Sequence, residues 1–171
     1  RMDMIEEIEV NILTADRIGL DTGEYSEYLQ NAIDYSKDEE YVKAGNEVKE
    51  GIDEVVSDME TFLQDSIEEA IDLLNKSENS IENISKSEIQ KIKDLTNASR
   101  QKLEEGNYRD SYNKIYECEE QLREWNIGKA NESISEVQKL IEFVEEKEIE
   151  VDKLDGYKSQ VEEAKSELAD E

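Results

Sequence analysis

The sequence predicts an elongated all-α protein, built of tandem three-helix bundles of about 66 residues that share long continuous helices. Three observations lead to this fold class. The 171 residues contain no proline. Apolar residues recur at helical spacings of three and four. Leu29-Gln30-Asn31-Ala32 recurs as Leu95-Thr96-Asn97-Ala98, and more loosely as Val161-Glu162-Glu163-Ala164.

This near-repeat makes specific predictions about burial and about domain organisation. Leu95 and Ala98 should be buried at positions equivalent to Leu29 and Ala32. Tyr108 is the corresponding counterpart of Tyr41. The chain is expected to divide into a first bundle unit at residues 1–62, a second at 63–125 and a partial third at 126–171.

The first two helices are placed by their apolar residues and caps. The first is expected from about Asp3 to Arg17, with Gly19 positioned to end it. Asp21 has the character of an N-cap for the second helix, and Glu24 three residues later completes a capping-box pattern. The second helix then carries Leu29 and Ala32 towards a turn at about residues 36–38.

The third helix is predicted to be unusually long. An apolar stripe at helical spacing runs from Tyr41 to Leu74 without a turn cluster, which predicts one helix over about residues 39–78. Gly45 and Gly51 should weaken it by up to ~1 kcal/mol each relative to alanine. Forty residues of helix rise ~60 Å, so this helix should serve two bundles in succession.

The same order of elements then returns. Ser85 and Glu88 form a second capping-box pattern after a polar connector, and a fourth helix follows until Gly106 and Asn107 break it. A fifth helix is expected from Tyr108 to about residue 144, with a kink at residues 126–128. Asp152 is the expected cap of a last helix over residues 154–168.

The charge of the chain is large and uneven. Asp and Glu number 47 against 20 Lys and Arg, a net charge of −27. Residues 1–85 carry 24 acids and 6 bases, residues 130–171 carry 14 and 5, and residues 86–129 carry 9 of each. The neutral stretch 86–129 is the expected site of any homo-oligomer contact, because it repels a neighbour least. No apolar run is long enough to predict membrane insertion of this segment, and the start lacks a signal core, which leaves open a signal or anchor outside it.

No residue pattern predicts catalysis, a cofactor or a metal. The chain has no histidine, which excludes Ser-His and Cys-His catalysis. Acid pairs such as Glu119-Glu120 are expected on solvated faces, where cations would bind weakly and with low selectivity. Cys118 is the only cysteine. Its apolar neighbours Ile115 and Leu122 favour a small buried hydrophobe over a reactive thiol.

Asn-x-Ser sequons exceed the number expected by chance. About one is expected from 11 Asn and 18 Ser plus Thr, and four occur. The candidate glycosylation sites are Asn75, Asn83, Asn97 and Asn131, with Asn75 and Asn83 flanking an expected exposed connector. The excess favours an extracellular or cell-surface location over the cytoplasm, although chance in an Asn- and Ser-rich chain explains it nearly as well.

Three resemblances to known families follow from these patterns. Helix continuity between bundles resembles the spectrin repeat, although the units are shorter and the tryptophan pattern of spectrin is missing. Residues 106–112, Gly-Asn-Tyr-Arg-Asp-Ser-Tyr, followed by Tyr116, look like the first helix of a tetratricopeptide repeat, but the 34-residue period of that family does not occur. The acidic helices, the Gly/Asp-x-Tyr helix starts and the 66-residue unit are together similar to acidic helical-repeat proteins of archaea, which are often surface-associated.

The sequence therefore predicts a non-enzymatic structural spacer or protein-interaction scaffold with an unidentified protein partner. The alternative is an acidic mimic of nucleic acid that blocks a basic protein surface. Net charge favours the mimic, whereas the neutral stretch 86–129 counts against it, since a phosphate-like surface should be continuous. The chain itself is not expected to bind nucleic acid.

Overall fold

The computed structural model describes residues 2–80, 85–147 and 153–169. It is 91% helical, and the described residues contain no strand, which confirms the all-α class. The six helices are α1 (Met2–Arg17), α2 (Gly23–Lys37), α3 (Tyr41–Ser80), α4 (Lys86–Glu104), α5 (Tyr108–Glu146) and α6 (Leu154–Ala169).

Three of the helices end in the same way. Gly19 follows α1 with φ +92°, its N–H donates to the Asp16 carbonyl, and the Leu20 N–H donates to the Ala15 carbonyl. This is a Schellman motif, in which a left-handed residue lets the chain satisfy the last carbonyls of the helix. Gly106 closes α4 with φ +71° and the same pair of bonds. Both glycines therefore end helices as the sequence predicted.

The third Schellman motif uses a residue that is strained there. Glu39 follows α2 with φ 63°, while its N–H donates to Ser36 and the Glu40 N–H donates to Tyr35. Only glycine adopts this conformation freely, because it has no Cβ to clash with the backbone. The left-handed turn explains why α3 begins at Tyr41 and not at the predicted residue 39.

One of the two predicted capping boxes is present and the other is wrong. The Ser85 hydroxyl accepts from the Glu88 N–H, and the Glu88 carboxylate accepts from the Ser85 N–H, so this box is confirmed. At α2 the N-cap is Thr22, without a side-chain cap bond. The Asp21 carboxylate instead accepts from the Gly23 N–H at 3.0 Å. Asp21 thus lies one residue before the N-cap and accepts from the first N–H of α2, so the predicted box of Asp21 and Glu24 is wrong.

The two long helices are continuous. The 40 residues of α3 form one helix, as predicted. The 39 residues of α5 stay helical through residues 126–128, where the sequence predicted a kink. The expected cap Asp152 lies outside the described residues.

Buried apolar side chains form three clusters that follow α3 along its length. The first joins Ile8 of α1, Ala32 of α2 and Val48 of α3. The second joins the end of α1, the start of α2 and the middle of α3, and its buried members are Ala15, Ile18, Tyr25, Val55, Met59 and Leu63. Residues of α4 and α5 pack at the edge of this cluster. The third joins the end of α3 to α4 and α5: Ile67, Ala70, Leu74, Ile92, Leu95, Ile115, Cys118 and Leu122.

The packing of α3 changes partner along the helix. Its first half contacts α1 and α2, and its second half contacts α4 and α5. The middle cluster contains α3 residues on both sides of residue 62, and Leu103 and Tyr108 pack against it. The core is therefore continuous across the expected boundary between residues 62 and 63, and the unit boundaries at 62 and 125 stay predictions.

The register of the near-repeat differs from the one predicted. Leu95 is buried as expected, but Ala98 is only half-buried, and on α2 the order is reversed, with Ala32 fully buried and Leu29 half-buried. An offset of 67 residues, the difference between Tyr41 and Tyr108, matches the buried positions instead. It relates Tyr25 to Ile92, Ala32 to Ser99, Ala44 to Ser111, Val48 to Ile115 and Val55 to Leu122, all of them buried. The repeating element is thus the helical hairpin α2–α3 and its counterpart α4–α5, aligned by their turns.

Candidate interaction surfaces

Tyrosines hold carboxylates in place along α3. The Tyr25 hydroxyl donates to Asp58 at 2.5 Å, and the Tyr108 hydroxyl donates to Glu60 at 3.0 Å. Burial raises the pKa of both tyrosines, and the carboxylate partners raise it further. A hydrogen bond to Glu54 is the main reason that the pKa of Tyr28 is raised to about 12. These hydroxyls lie at the edge of the helical core, the ordinary arrangement for a packed tyrosine.

The acidic residues beside Tyr28 surround a shallow depression. Its lining is Glu24, Glu27, Tyr28, Asn31 and Glu54, and no basic side chain contributes. Within residues 2–80, 85–147 and 153–169, no cluster of three or more acidic or cysteine side chains has the arrangement to hold a metal ion. This part of α2 and α3 is an ordered acidic surface.

A groove of mixed charge lies between α4 and the middle of α5. Its volume is about 440 Å³, and its lining includes Trp125, Lys91, Lys129 and Glu132. A Cβ added at Gly128 would meet nothing within 4 Å, so the groove is open there. Both signs of charge line it, so its charge selects for neither an anion nor a cation.

The neutral stretch 86–129 directs its apolar residues inward. Ile92, Leu95, Ile115 and Leu122 are buried in the third cluster, and Tyr116, at 53% exposure, is the one large apolar side chain of this stretch that is exposed. The stretch therefore offers little apolar surface to a second copy. A homo-oligomer contact through it stays a prediction.

Cys118 lies in that same buried cluster. Its side chain has no exposed surface, and burial raises the pKa of the thiol to about 11, with Glu119 and Glu117 adding to the effect. The thiolate, which is the reactive form, is therefore disfavoured. The prediction of a buried hydrophobe is confirmed.

The sequons fall on helices wherever the structure describes them. Asn75 lies inside α3, five residues before its end, and its sequon serine Ser77 is buried and donates to Asn126. Asn97 is exposed on α4, but its sequon serine Ser99 is fully buried. In the third sequon both Asn131 and Ser133 are exposed on α5. Asn83 lies outside the described residues, and glycosylation at all four sites stays a prediction.

The last helical hairpin exposes four large apolar side chains. Val137, Leu140 and Phe143 of α5 are 41%, 63% and 51% exposed, and Tyr157 of α6 is 49% exposed. We call these four residues the open face. Beyond residue 125, Val161 is the one buried apolar side chain that the structure describes. Two helices alone thus leave their apolar stripe largely uncovered.

A groove adjoins the open face where α6 ends. It has a volume of about 460 Å³, and we call it the end groove; its apolar and amide lining is Leu73, Leu122, Asn126, Ile127, Ala130 and Leu168. Positions 126, 130, 137, 140 and 144 are spaced by three, four or seven residues and share one side of α5. The end groove and two residues of the open face, Val137 and Leu140, therefore share one side of α5, whereas Phe143 lies further round the helix.

The end groove is lined by one charged side chain of each sign. Glu119 lines it beside Arg123. Partial desolvation raises the pKa of Glu119, and repulsion from Glu69 and Glu120 raises it further. Arg123 pairs with Glu120 at 2.9 Å, so the charge of the end groove selects for neither an anion nor a cation.

Sequence patterns missed this side of α5 as a surface. Val137 and Val144 belong to the predicted apolar stripe of the fifth helix, and such a stripe normally means core. In the described residues this stretch of α5 pairs with α6, and Val137 stays 41% exposed.

Comparisons of the chain with models of known protein families, with curated proteins and with solved structures found no match. The likeness to spectrin-like bundles and to acidic archaeal repeat proteins therefore stays a prediction. In the part of the chain that the structure describes, no helix combines the length and apolar character needed to cross a membrane.

Proposed function

We propose that this protein is a non-enzymatic structural spacer or protein-interaction scaffold, made of tandem acidic helical bundles. The observation that supports the proposal is the shared helix α3, whose first half packs with α1 and α2 and whose second half packs with α4 and α5. A shared helix joins two packed groups without a flexible linker, so it transmits their separation rigidly. The open face gives such a spacer a place to engage a partner.

A distance measurement across α3 tests the spacer. Spin labels at exposed Glu50 and Asp72 should lie roughly 33 Å apart along the axis, from ~1.5 Å per residue. The distance distribution should be narrow and unchanged by salt, because the intervening core residues Val55, Met59 and Leu63 are fully buried. A distance below about 25 Å, or a broad distribution, would contradict a rigid shared helix.

The second candidate, an acidic mimic of nucleic acid, is favoured by one specific feature. Glu50, Glu54 and Asp58 recur every four residues on α3, about 6 Å apart along the axis, and tyrosine hydroxyls bond two of the three. Ordered carboxylates in a row can substitute for phosphates on a basic protein. Competition with duplex DNA for a basic DNA-binding domain tests this. The mimic requires that Glu54→Gln with Asp58→Asn weaken the competition more than Glu142→Gln with Glu146→Gln.

A further inference from the structure

An apolar pocket lies where α1, α2 and α3 meet, beside the turn between α2 and α3. Its volume is about 160 Å³. Aliphatic or small side chains from all three helices line it, among them Ile5 of α1, Ala32 and Ser36 of α2, and Ala44, Gly45 and Val48 of α3. Because Ala32, Ala44 and Val48 are buried, the pocket reaches the core of this group of helices.

The second hairpin indicates which groups fill the equivalent space. The buried positions of the two hairpins match at an offset of 67 residues, but two positions of the pocket differ in size. Ser36 corresponds to Leu103, and Gly45 corresponds to Tyr112. Both larger side chains are half-buried and pack against the second cluster. A Cβ added at Gly45 would meet nothing within 4 Å, so the pocket is the space left where serine and glycine replace them.

The volume and the lining of the pocket define a class of ligand. An apolar cavity of about 150 Å³ is large enough to bind benzene. Among the described residues no charged side chain lines the pocket, so a charged ligand would lose its hydration without gaining a partner. We infer that the pocket binds a small uncharged molecule with a single aromatic ring, and that this ring takes the place that Tyr112 has in the second hairpin.

A matched pair of probes tests the class of ligand. Ethylbenzene and benzylammonium have the same shape and differ in a methyl group against an ammonium group. Ethylbenzene should bind the full chain with a Kd of about 1 mM or below and shift the amide signals of Ala44, Gly45 and Val48 in proton–nitrogen correlation spectra. Benzylammonium should bind this site at least about tenfold more weakly. General attraction to a chain of net charge −27 predicts the reverse order.

Filling the pocket should remove the ligand. Gly45→Tyr introduces the side chain that the second hairpin has at this position, and it should weaken ethylbenzene binding at least about tenfold. Gly128→Tyr is the matched control, because Gly128 also lies in a long helix, leaves open space for an added Cβ and is not part of the pocket lining. This control should leave the affinity for ethylbenzene unchanged. Circular dichroism of both variants confirms that they are folded.

Three results would overturn the inference. One is the absence of amide shifts in buffer saturated with ethylbenzene, or shifts confined to the groove around Trp125. Another is equal affinity of the wild-type chain and folded Gly45→Tyr, and the third is tighter binding of benzylammonium than of ethylbenzene. If Gly45→Tyr does not fold, the amide shifts of the wild-type chain locate the ligand by themselves. The distance between Glu50 and Asp72 is measured without any ligand, so the pocket and the spacer can fail separately.

Discussion

Two glycines on α3 have different structural roles, which the spacing of the apolar residues does not distinguish. A Cβ at Gly51 would lie 2.6 Å from Ile8 Cδ1 and 2.8 Å from Tyr28 Cβ, whereas a Cβ at Gly45 would meet nothing within 4 Å. Gly51 is therefore required by the close approach of α1 and α2 to α3, and Gly45 only loosens the helix. In the second hairpin Cys118 is equivalent to Gly51, and Leu95 is equivalent to Tyr28. Because Leu95 is smaller than Tyr28, the second hairpin has room for the Cys118 side chain.

This contrast predicts the effects of two alanine substitutions. Gly51→Ala should destabilise the protein by roughly 1–3 kcal/mol, because the added methyl group overpacks a contact with Tyr28 Cβ, which is close to the backbone. Gly45→Ala should stabilise it by about 0.5–1 kcal/mol through helix propensity. Urea unfolding at constant m-value measures both. Equal changes in the two variants would contradict the close approach at Gly51.

The strained residue Glu39 predicts a stabilising substitution. Glu39 has φ 63°, and its counterpart at the turn of the second hairpin is Gly106 with φ +71°. Glu39→Gly should therefore stabilise the fold by about 1 kcal/mol, since glycine occupies this region freely. Glu39→Gln is the control, because it removes the same charge and keeps the Cβ. If Glu39→Gln stabilises as much as Glu39→Gly, charge and not backbone strain is the cause.

At the scale of elements, the hairpins explain what the sequence could and could not predict. The Ser85–Glu88 capping box and the Gly19 helix end were predictable, because each depends on residues within one turn. The Asp21 cap was not, because α2 begins one residue later than predicted, with Thr22 as its N-cap. The 66-residue register was wrong for another reason. Residues 29–32 and 95–98 have similar amino acids, but they do not occupy equivalent buried positions. The buried positions match when the hairpins are aligned at the turns before Tyr41 and Tyr108.

The crossing of the second hairpin contains a buried serine pair. Ser99 Oγ lies 2.9 Å from both the Ser111 carbonyl and Ser111 Oγ, and Ser111 Oγ lies 3.0 Å from the Ser99 carbonyl. Both side chains are fully buried. In the first hairpin the equivalent residues are Ala32 and Ala44, so the crossing requires small residues and not hydroxyls.

This equivalence predicts strong coupling between the two serines. Ser99→Ala and Ser111→Ala should each cost about 1 kcal/mol, because each removes a partner of the other buried hydroxyl. The double variant should cost about the same as one single variant, since it reproduces the alanine pair of the first hairpin. A double-mutant cycle from denaturant unfolding measures the coupling. Additive costs would mean that each hydroxyl contributes by itself through its backbone carbonyl.

For the whole molecule, the balance between net repulsion and ion pairs determines stability. Eight of the ten ion pairs in the described residues join positions three apart within a helix or at its end, and exposed pairs of this kind contribute little. Lys93–Glu78 and Lys158–Glu145 alone among them connect different helices. Local pairs such as these offset only part of a net charge of −27.

The carboxylate pKa shifts act in both directions on stability. Hydrogen bonds from Lys37, Ser85 and Lys102 lower the pKa values of Asp34, Glu88 and Glu105 respectively. These three groups contribute stability above their unfolded pKa, and it is lost as the pH falls through the folded value. Glu119 has the opposite sign. Its raised pKa means that stability is present below the unfolded value and lost as the pH rises through the folded one.

We expect repulsion to outweigh the local pairs, so that the melting temperature is higher near pH 5 than near pH 7.5 and rises with added sodium chloride. Folding concentrates the 24 carboxylates of residues 1–85 against only 6 bases, and salt screens that repulsion.

Glu119→Gln should raise the melting temperature at about pH 7.5 and have a smaller effect near pH 5, where more of the wild-type carboxylate is protonated. Glu124→Gln changes the net charge equally and is the control. Thermal melts followed by circular dichroism decide between the two cases. A melting temperature that falls with salt at the higher pH would mean that the ion pairs form a stabilising network, and the acidic surface would then hold the helices together instead of straining them.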